Sequence, residues 1–152
     1  MKKVFAVIVA VALMATMSVP AFAANTTGGD ADITTSIDPT YTVTIPADVN
    51  VAFNATETAF GTIEVTASQI HPDKCIKVAL ATDKELNNAI DNTKVIPYAI
   101  KDSEGAEFTS ATYLTEGDKT ELSIHITADD WNAAYAGDYS DTVTFTVSYE
   151  DK

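Results

Sequence analysis

The sequence predicts an all-β chain: about seven to nine antiparallel strands in two sheets, of the immunoglobulin-like sandwich type, with one short helix before the last strand. Three observations predict it. Threonine, valine and isoleucine recur with a period of two from Ile33 to Tyr149, the pattern of strands with one wet and one dry face. Clusters of turn residues, namely DPT, IHPDK, DNTK, DSEGAE and TEGDK, interrupt that alternation at intervals short enough for a sandwich. Helical periodicity is confined to 128–136, with DKELNNAIDN offering at most one further short turn. An open-ended barrel is the alternative closure of the same strands.

The chain begins with MKKVFAVIVAVALMATMSVPAFA. Lys2 and Lys3 precede an apolar run from Val4 to Met17, and Ala21-Phe22-Ala23 places small residues where a signal peptidase reads. Residues 1–23 are therefore expected to be a secretory signal peptide, cleaved between Ala23 and Ala24. The run is too short for a stable membrane span, and SYEDK at the other end carries no apolar tail, so no membrane anchor is expected. Residues 24–32, ANTTGGDAD, are small and polar with two glycines and read as a flexible leader. Residues 33–152 form the single sandwich domain.

Within that domain ADITTSID places Ile33, Thr35 and Ile37 on one face and reads as a first strand, or as a segment able to complete a neighbour's sheet. YTVTIP sets Tyr41, Val43 and Ile45 inward, and Pro46, lacking an amide proton, ends the ladder. VNVAF aligns Val49, Val51 and Phe53 as a further strand. FGTIEVTA, CIKVALA, VIPYAI, EFTSATYL, TELSIHIT and SDTVTFTVSYE follow. Pro97 marks VIPYAI as an edge or bulged strand. In the last run Val143, Phe145, Val147 and Tyr149 face the core and the threonines face water.

Charge narrows the function classes. The full chain carries −13. Cleavage removes two lysines and no acid, so 22 acids face the seven bases that remain of nine, giving −15. With no arginine either, such a surface repels phosphate backbones and anionic lipid, and no nucleic-acid partner is expected. Cys75 is the only cysteine, so no intrachain disulfide can form. The alternation of KCIKVALA puts it opposite the core face or at a strand's start, where it is either covered and inert or free to cross-link two chains.

The stretch ADDWNAAYAG has the grammar of a short helix. Thr127 can cap the amide of Asp130, Asp129 and Asp130 lie in the first turn, and Gly137 follows as a left-handed stop. Trp131, Ala134 and Tyr135 then share one face, so Trp131 plugs the end of the sandwich. The same aromatics with Tyr139, flanked by Asp130, Asn132 and Asp138, have the chemistry of a carbohydrate platform. Trp131, Tyr135 and Tyr139 are accordingly the candidate ligand contacts. No carboxylate pair sits in a tuned context. His71 lies in a turn, and His125 is expected to face solvent beside Ile124 and Ile126. Neither a calcium loop nor zinc spacing is present. No catalytic residue, metal ligand or cofactor is expected.

AGDYSDTVTFTVSYE resembles the closing strand, and YTVTIP the opening strand, of small exported bacterial immunoglobulin-like domains of the surface and fimbrial-adhesin type. The two pieces cover about thirty residues. The resemblance implies a sandwich fold and a role at the cell surface, in adhesion or assembly. The chain departs from that pattern in having no disulfide and no wall-sorting tail. The expected function is a non-enzymatic, secreted surface or extracellular protein acting in adhesion or as an assembly subunit. Its partner would be a surface protein or glycan, with possible self-assembly through residues 33–37. The alternative is a small carbohydrate-binding module.

Overall fold

The computed structural model describes residues 8–12 and 32–152. The expected cleavage site at Ala23–Ala24 and the leader up to residue 31 lie outside the described residues. The described residues form antiparallel β-sheets with one short helix, as the period-two pattern requires.

The largest sheet runs β1 (Ile8–Ala12), β2 (Thr40–Thr44), β3 (Glu57–Gln69), β9 (Lys119–His125), β7 (Ala99–Asp102) in spatial order. Its centre is the thirteen-residue β3, whose Ile63 and Val65 are fully buried. A bulge between Ala59 and Gly61 bends β3 where it pairs with β9. Gly61 holds φ +144, and a Cβ there would stand 3.0 Å from Cβ of Pro46, so the bend needs the missing side chain. A second sheet runs β11 (Thr144–Asp151), β4 (Lys74–Ala81), β8 (Ser110–Tyr113). The third runs β10 (Tyr139–Ser140), β5 (Glu85–Asn88), β6 (Val95–Pro97).

All three contribute to one apolar core that includes Val43, Ile63, Ile76, Val78, Ile96, Ile100 and Ile126. Burying each such side chain contributes about 1.5–3 kcal/mol. Between the first and second sheets Tyr41 stacks on Tyr149 at 5.8 Å and Phe60 meets Phe145 at 5.9 Å.

Several strands fall where the alternation puts them. Tyr41 and Val43 point inward from β2, Ile76 and Val78 from β4, and Leu122, Ile124 and Ile126 line the buried side of β9 and its continuation. Pro97 does sit at a sheet edge, since β6 is an outer strand. There VIPYAI breaks in two. Tyr98 donates its amide to the carbonyl of Lys84 at 3.0 Å, and the chain passes from the β6 sheet to the β7 sheet across it. Cys75, the second residue of β4, is buried, with Sγ 3.7 Å from the carbonyl oxygen of Asp151. His125 is half-buried rather than solvent-facing, its Nε2 2.9 Å from Ser123 Oγ.

Other expectations are corrected. ADITTSID is not a strand: no ladder runs through 32–39, and Ile33 and Ile37 are 98% and 62% exposed. VNVAF is not a strand either. Asn54 takes a left-handed φ of 63° and Ala55 closes a turn onto Ala52, so Phe53 is turned outward. DKELNNAIDN holds strand β5, not a helical turn. Lys84 is left-handed, and its amide and that of Glu85 bond the side chains of Thr82 and Asp83, a local turn that competes with helix. The final run also divides. Tyr139–Ser140 pairs with β5 and only Thr144 onward pairs with β4. The threonines of β11 face water as expected, while Val143, Phe145, Val147 and Tyr149 are only half-covered.

Candidate functional site

The helix α1 spans Ala128–Ala133. Thr127 Oγ1 accepts from the amide of Asp130 at 3.1 Å, and two aspartates occupy the first turn, the cap and charge placement the sequence specifies. The helix stops earlier than expected. Ala134 is already extended, with ψ 141°, and this changes the fate of the aromatic cluster.

Trp131 still lies on the inner side, half-buried against the core. Its indole Nε1 donates to the carbonyl oxygen of Ala55 at 2.9 Å, and Phe53 meets its ring edge-on at 5.6 Å. Tyr135 departs from the inward placement: with the helix over, it swings out to 63% exposure. There Lys94 Nζ stands 5.0 Å over its ring. Tyr139 is half-buried and donates its hydroxyl to the carbonyl of Tyr135 at 2.9 Å. The three candidate contacts are thus neighbours, but two of them spend their polar atoms on the backbone. Gly137 is not the helix stop. At φ +150 it lets the chain pass close over Asn88, whose Nδ2 would lie 2.6 Å from an added Cβ.

Beside this cluster a cleft of about 870 Å³ opens between the 45–53 segment and residues 137–143. Phe60, Leu86 and Phe145 supply apolar lining, and Asp48, Asp138 and Asp141 supply carboxylates.

Asp141 anchors one wall. Its Oδ2 accepts from Tyr98 Oη at 2.5 Å and from Thr82 Oγ1 at 2.8 Å. Burial, and then the bond to Asp141, push the Tyr98 hydroxyl well above its ordinary value, so it stays a neutral donor. This network was not read from the sequence. Its signal was present, because an inward tyrosine in VIPYAI needs a partner for its hydroxyl. Nothing in the spacing identified Asp141 as that partner.

Among the described residues no group of three or more histidine, cysteine or acidic side chains is arranged to hold a metal ion. No helix among them is long and apolar enough to cross a membrane. Compared with models of known protein families and with curated proteins, the chain matches none.

The remaining chemistry belongs to the flank where two sheets end. β11 is the outer strand of its sheet, and its inward side chains are half-covered. Facing it across the Tyr41–Tyr149 stack is β2, which among the described residues pairs with β3 on one side and β1 on the other. An outer edge such as that of β11 carries unpaired backbone donors and acceptors.

Proposed function

We propose that the protein is an exported, non-enzymatic surface or extracellular protein, an immunoglobulin-like sandwich that acts in adhesion or as an assembly subunit. The observation that carries the reading is the flank between β2 and β11. The outer edge of β11 and a row of half-covered apolar side chains lie together there, and the segment 33–37, which leads into β2, presents two exposed isoleucines. Exposed apolar groups beside open edges are the raw material of strand addition. The test is the assembly state of residues 24–152 by sedimentation velocity and electron microscopy. Oligomers or fibres that vanish when 24–37 are deleted support the reading, and a strictly monomeric protein refutes the subunit role.

A second reading, a small carbohydrate-binding module, draws on the cleft and on Tyr135, the one candidate aromatic that is exposed. Binding on a glycan array that disappears in Tyr135→Ala supports it. Tyr135 is exposed, so that variant keeps the fold and isolates the ring's own contribution.

A further inference from the structure

The cleft of about 870 Å³ continues past Trp131. A second recess of about 610 Å³ adjoins it and shares Phe53, Trp131 and Tyr139 with it. Tyr135 also lines this second recess, so four aromatic side chains border one hollow. Three of the rings are held before anything binds: Trp131 is tied to Ala55, Phe53 packs on its indole, and Tyr139 bonds the Tyr135 carbonyl. Rings fixed in advance need not be ordered again around a ligand, which favours affinity.

What these rings have left to offer is apolar and electrostatic. The indole N–H of Trp131 and the hydroxyl proton of Tyr139 are already donated to backbone carbonyls, so an arriving sugar hydroxyl finds neither donor free. The faces of such rings attract cations, most strongly where water is excluded. Tyr135 already makes a contact of this kind, with Lys94 Nζ 5.0 Å over its ring. Charge around the hollow has the same preference. Asp48, Asp138 and Asp141 line the cleft, while no lysine or histidine among the described residues lines either recess. No ion pair among the described residues reaches these aspartates. Asp141 is half-buried, and its hydrogen bonds come from neutral donors, the hydroxyls of Tyr98 and Thr82 and the amide of Thr142. Its carboxylate therefore lacks a partner cation, and a cleft with apolar walls focuses that field.

We propose that this hollow binds a quaternary ammonium ion of choline's size, with its methyl groups against Phe53, Trp131, Tyr135 and Tyr139 and its charge in the field of the cleft aspartates. A primary ammonium fits less well, because each of its N–H groups needs an acceptor and ring faces supply none of the ordinary kind. A phosphocholine headgroup also fits less well, since the same aspartates repel its phosphate. The site is independent of the assembly reading, and it gives the aromatics of the glycan reading a different class of ligand.

Trp131 is the only tryptophan in the chain, so its fluorescence reports on the hollow. The purified protein is titrated with choline and with tetramethylammonium, and calorimetry repeats each titration. Both ions are expected to bind, and the uncharged tert-butyl analogue of choline to bind about tenfold more weakly. Phosphocholine and ethanolamine are expected to be weaker than choline as well. Tyr135→Ala and Phe53→Ala remove exposed rings and so keep the fold, which circular dichroism checks. Each is expected to weaken choline binding about threefold or more, while Tyr135→Phe retains it. Asp138→Asn is expected to weaken it, and Lys94→Ala to tighten it by taking a competing cation off Tyr135. Equal binding of choline and its uncharged analogue overturns the proposal, as does weaker binding in Lys94→Ala. Phosphocholine as tight as choline, or cosedimentation with phosphatidylcholine vesicles, overturns the choice of a phosphate-free ion. Binding of N-acetylglucosamine oligomers that is lost in Tyr135→Ala, with choline inert, overturns it in favour of the glycan reading. Choline inert in both fluorescence and calorimetry overturns it outright and leaves the assembly reading untouched.

Discussion

The indole Nε1 of Trp131 donates to the carbonyl oxygen of Ala55 across 2.9 Å, joining the short helix to the turn that follows the 45–53 segment. The two residues are 76 positions apart in the chain, so one hydrogen bond holds one end of the cleft to a remote loop. Phe53, otherwise exposed, is fixed by packing its ring edge-on to the same indole.

Replacing Trp131 therefore tests structure before it tests binding. Trp131→Phe keeps most of the apolar contact and strands the Ala55 carbonyl, which costs about 1 kcal/mol. Trp131→Ala removes the ring as well, and the expected loss is about 3 kcal/mol, the low end for aromatic truncation because the ring is half-buried. Urea unfolding of both variants checks the ordering. A Trp131→Ala protein as stable as the parent would refute the structural role.

Gly137 and Asn88 supply a second prediction. A Cβ at Gly137 meets Asn88 Nδ2 at 2.6 Å, and Asn88 cannot swing away freely. It is buried, and its Oδ1 accepts from the amides of Ile90 and Asp91 at 2.9 and 3.2 Å. Gly137→Ala should cost about 2–3 kcal/mol, combining backbone strain with damage to those bonds. Gly105→Ala is the control, since Gly105 also holds positive φ but has open space around it, and its cost should be about 1 kcal/mol. In an Asn88→Ala background the Gly137→Ala penalty should shrink, a coupling that thermal unfolding of the four proteins measures.

These residues mark how far the sequence could be read. Strands whose inward faces are uniformly large and apolar, β2, β4 and β9, were legible because burial and alternation agree along the whole run. The cap at Thr127 was legible because its partner amide, that of Asp130, is only three positions along the chain. VNVAF misled because alternation over five residues does not reveal a left-handed Asn54 that turns Phe53 outward. ELNN was obscured in the opposite sense: its strand lies between its neighbour β6 and β10, a partner far along the chain that the local composition does not announce. Tyr135 failed for one reason only. The i, i+4 rule places it on the Trp131 face if the helix reaches it, and the helix ends at Ala133. Contacts set by distant segments, such as Tyr98 with Asp141 or Gly137 with Asn88, leave no periodic trace.

Tyr98 gives a prediction for alkaline pH. Its hydroxyl ionises at 10.0 ordinarily, and burial followed by the Asp141 bond raises that value in the fold. The stability tied to the protonated hydroxyl is therefore complete below pH 10.0 and is lost as pH rises toward the higher folded-state value. Above 10.0 the unfolded tyrosine releases its proton while the folded one keeps it, so alkali favours unfolding. Tyr98→Phe should cost about 1.5–3 kcal/mol near neutrality, the range for a bond to a charged acceptor. It should also flatten the alkaline decline. Some decline remains, because burial raises Tyr41 and Tyr113 as well. Urea midpoints across the alkaline range decide it, and an unchanged slope in Tyr98→Phe refutes the assignment.

Asp118 sets the corresponding acid limit. Its Oδ2 accepts from the amides of Leu114 and Thr115 at 2.7 and 2.9 Å, and its Oδ1 from Thr115 Oγ1 at 3.0 Å. The turn so formed joins β8 to β9 and is tied to β3, where Gly117 donates to the Val65 carbonyl and Val65 donates to the Asp118 carbonyl. The two backbone amides, first of all, hold the carboxyl below its ordinary 3.8. A lowered folded-state value means the contribution is complete above 3.8 and disappears as pH falls through the lower folded value. Asp118→Ala should cost about 1 kcal/mol at neutral pH. Asp118→Asn preserves the shape and one accepting oxygen but carries no charge to titrate. Its stability should therefore fall less steeply than the parent's between about pH 5 and 2. Because Asp118 is largely solvated, salt should narrow the difference between the two proteins. Chemical unfolding over that range reads the slopes directly, and parallel curves for parent and Asp118→Asn would show that other carboxylates govern the acid transition.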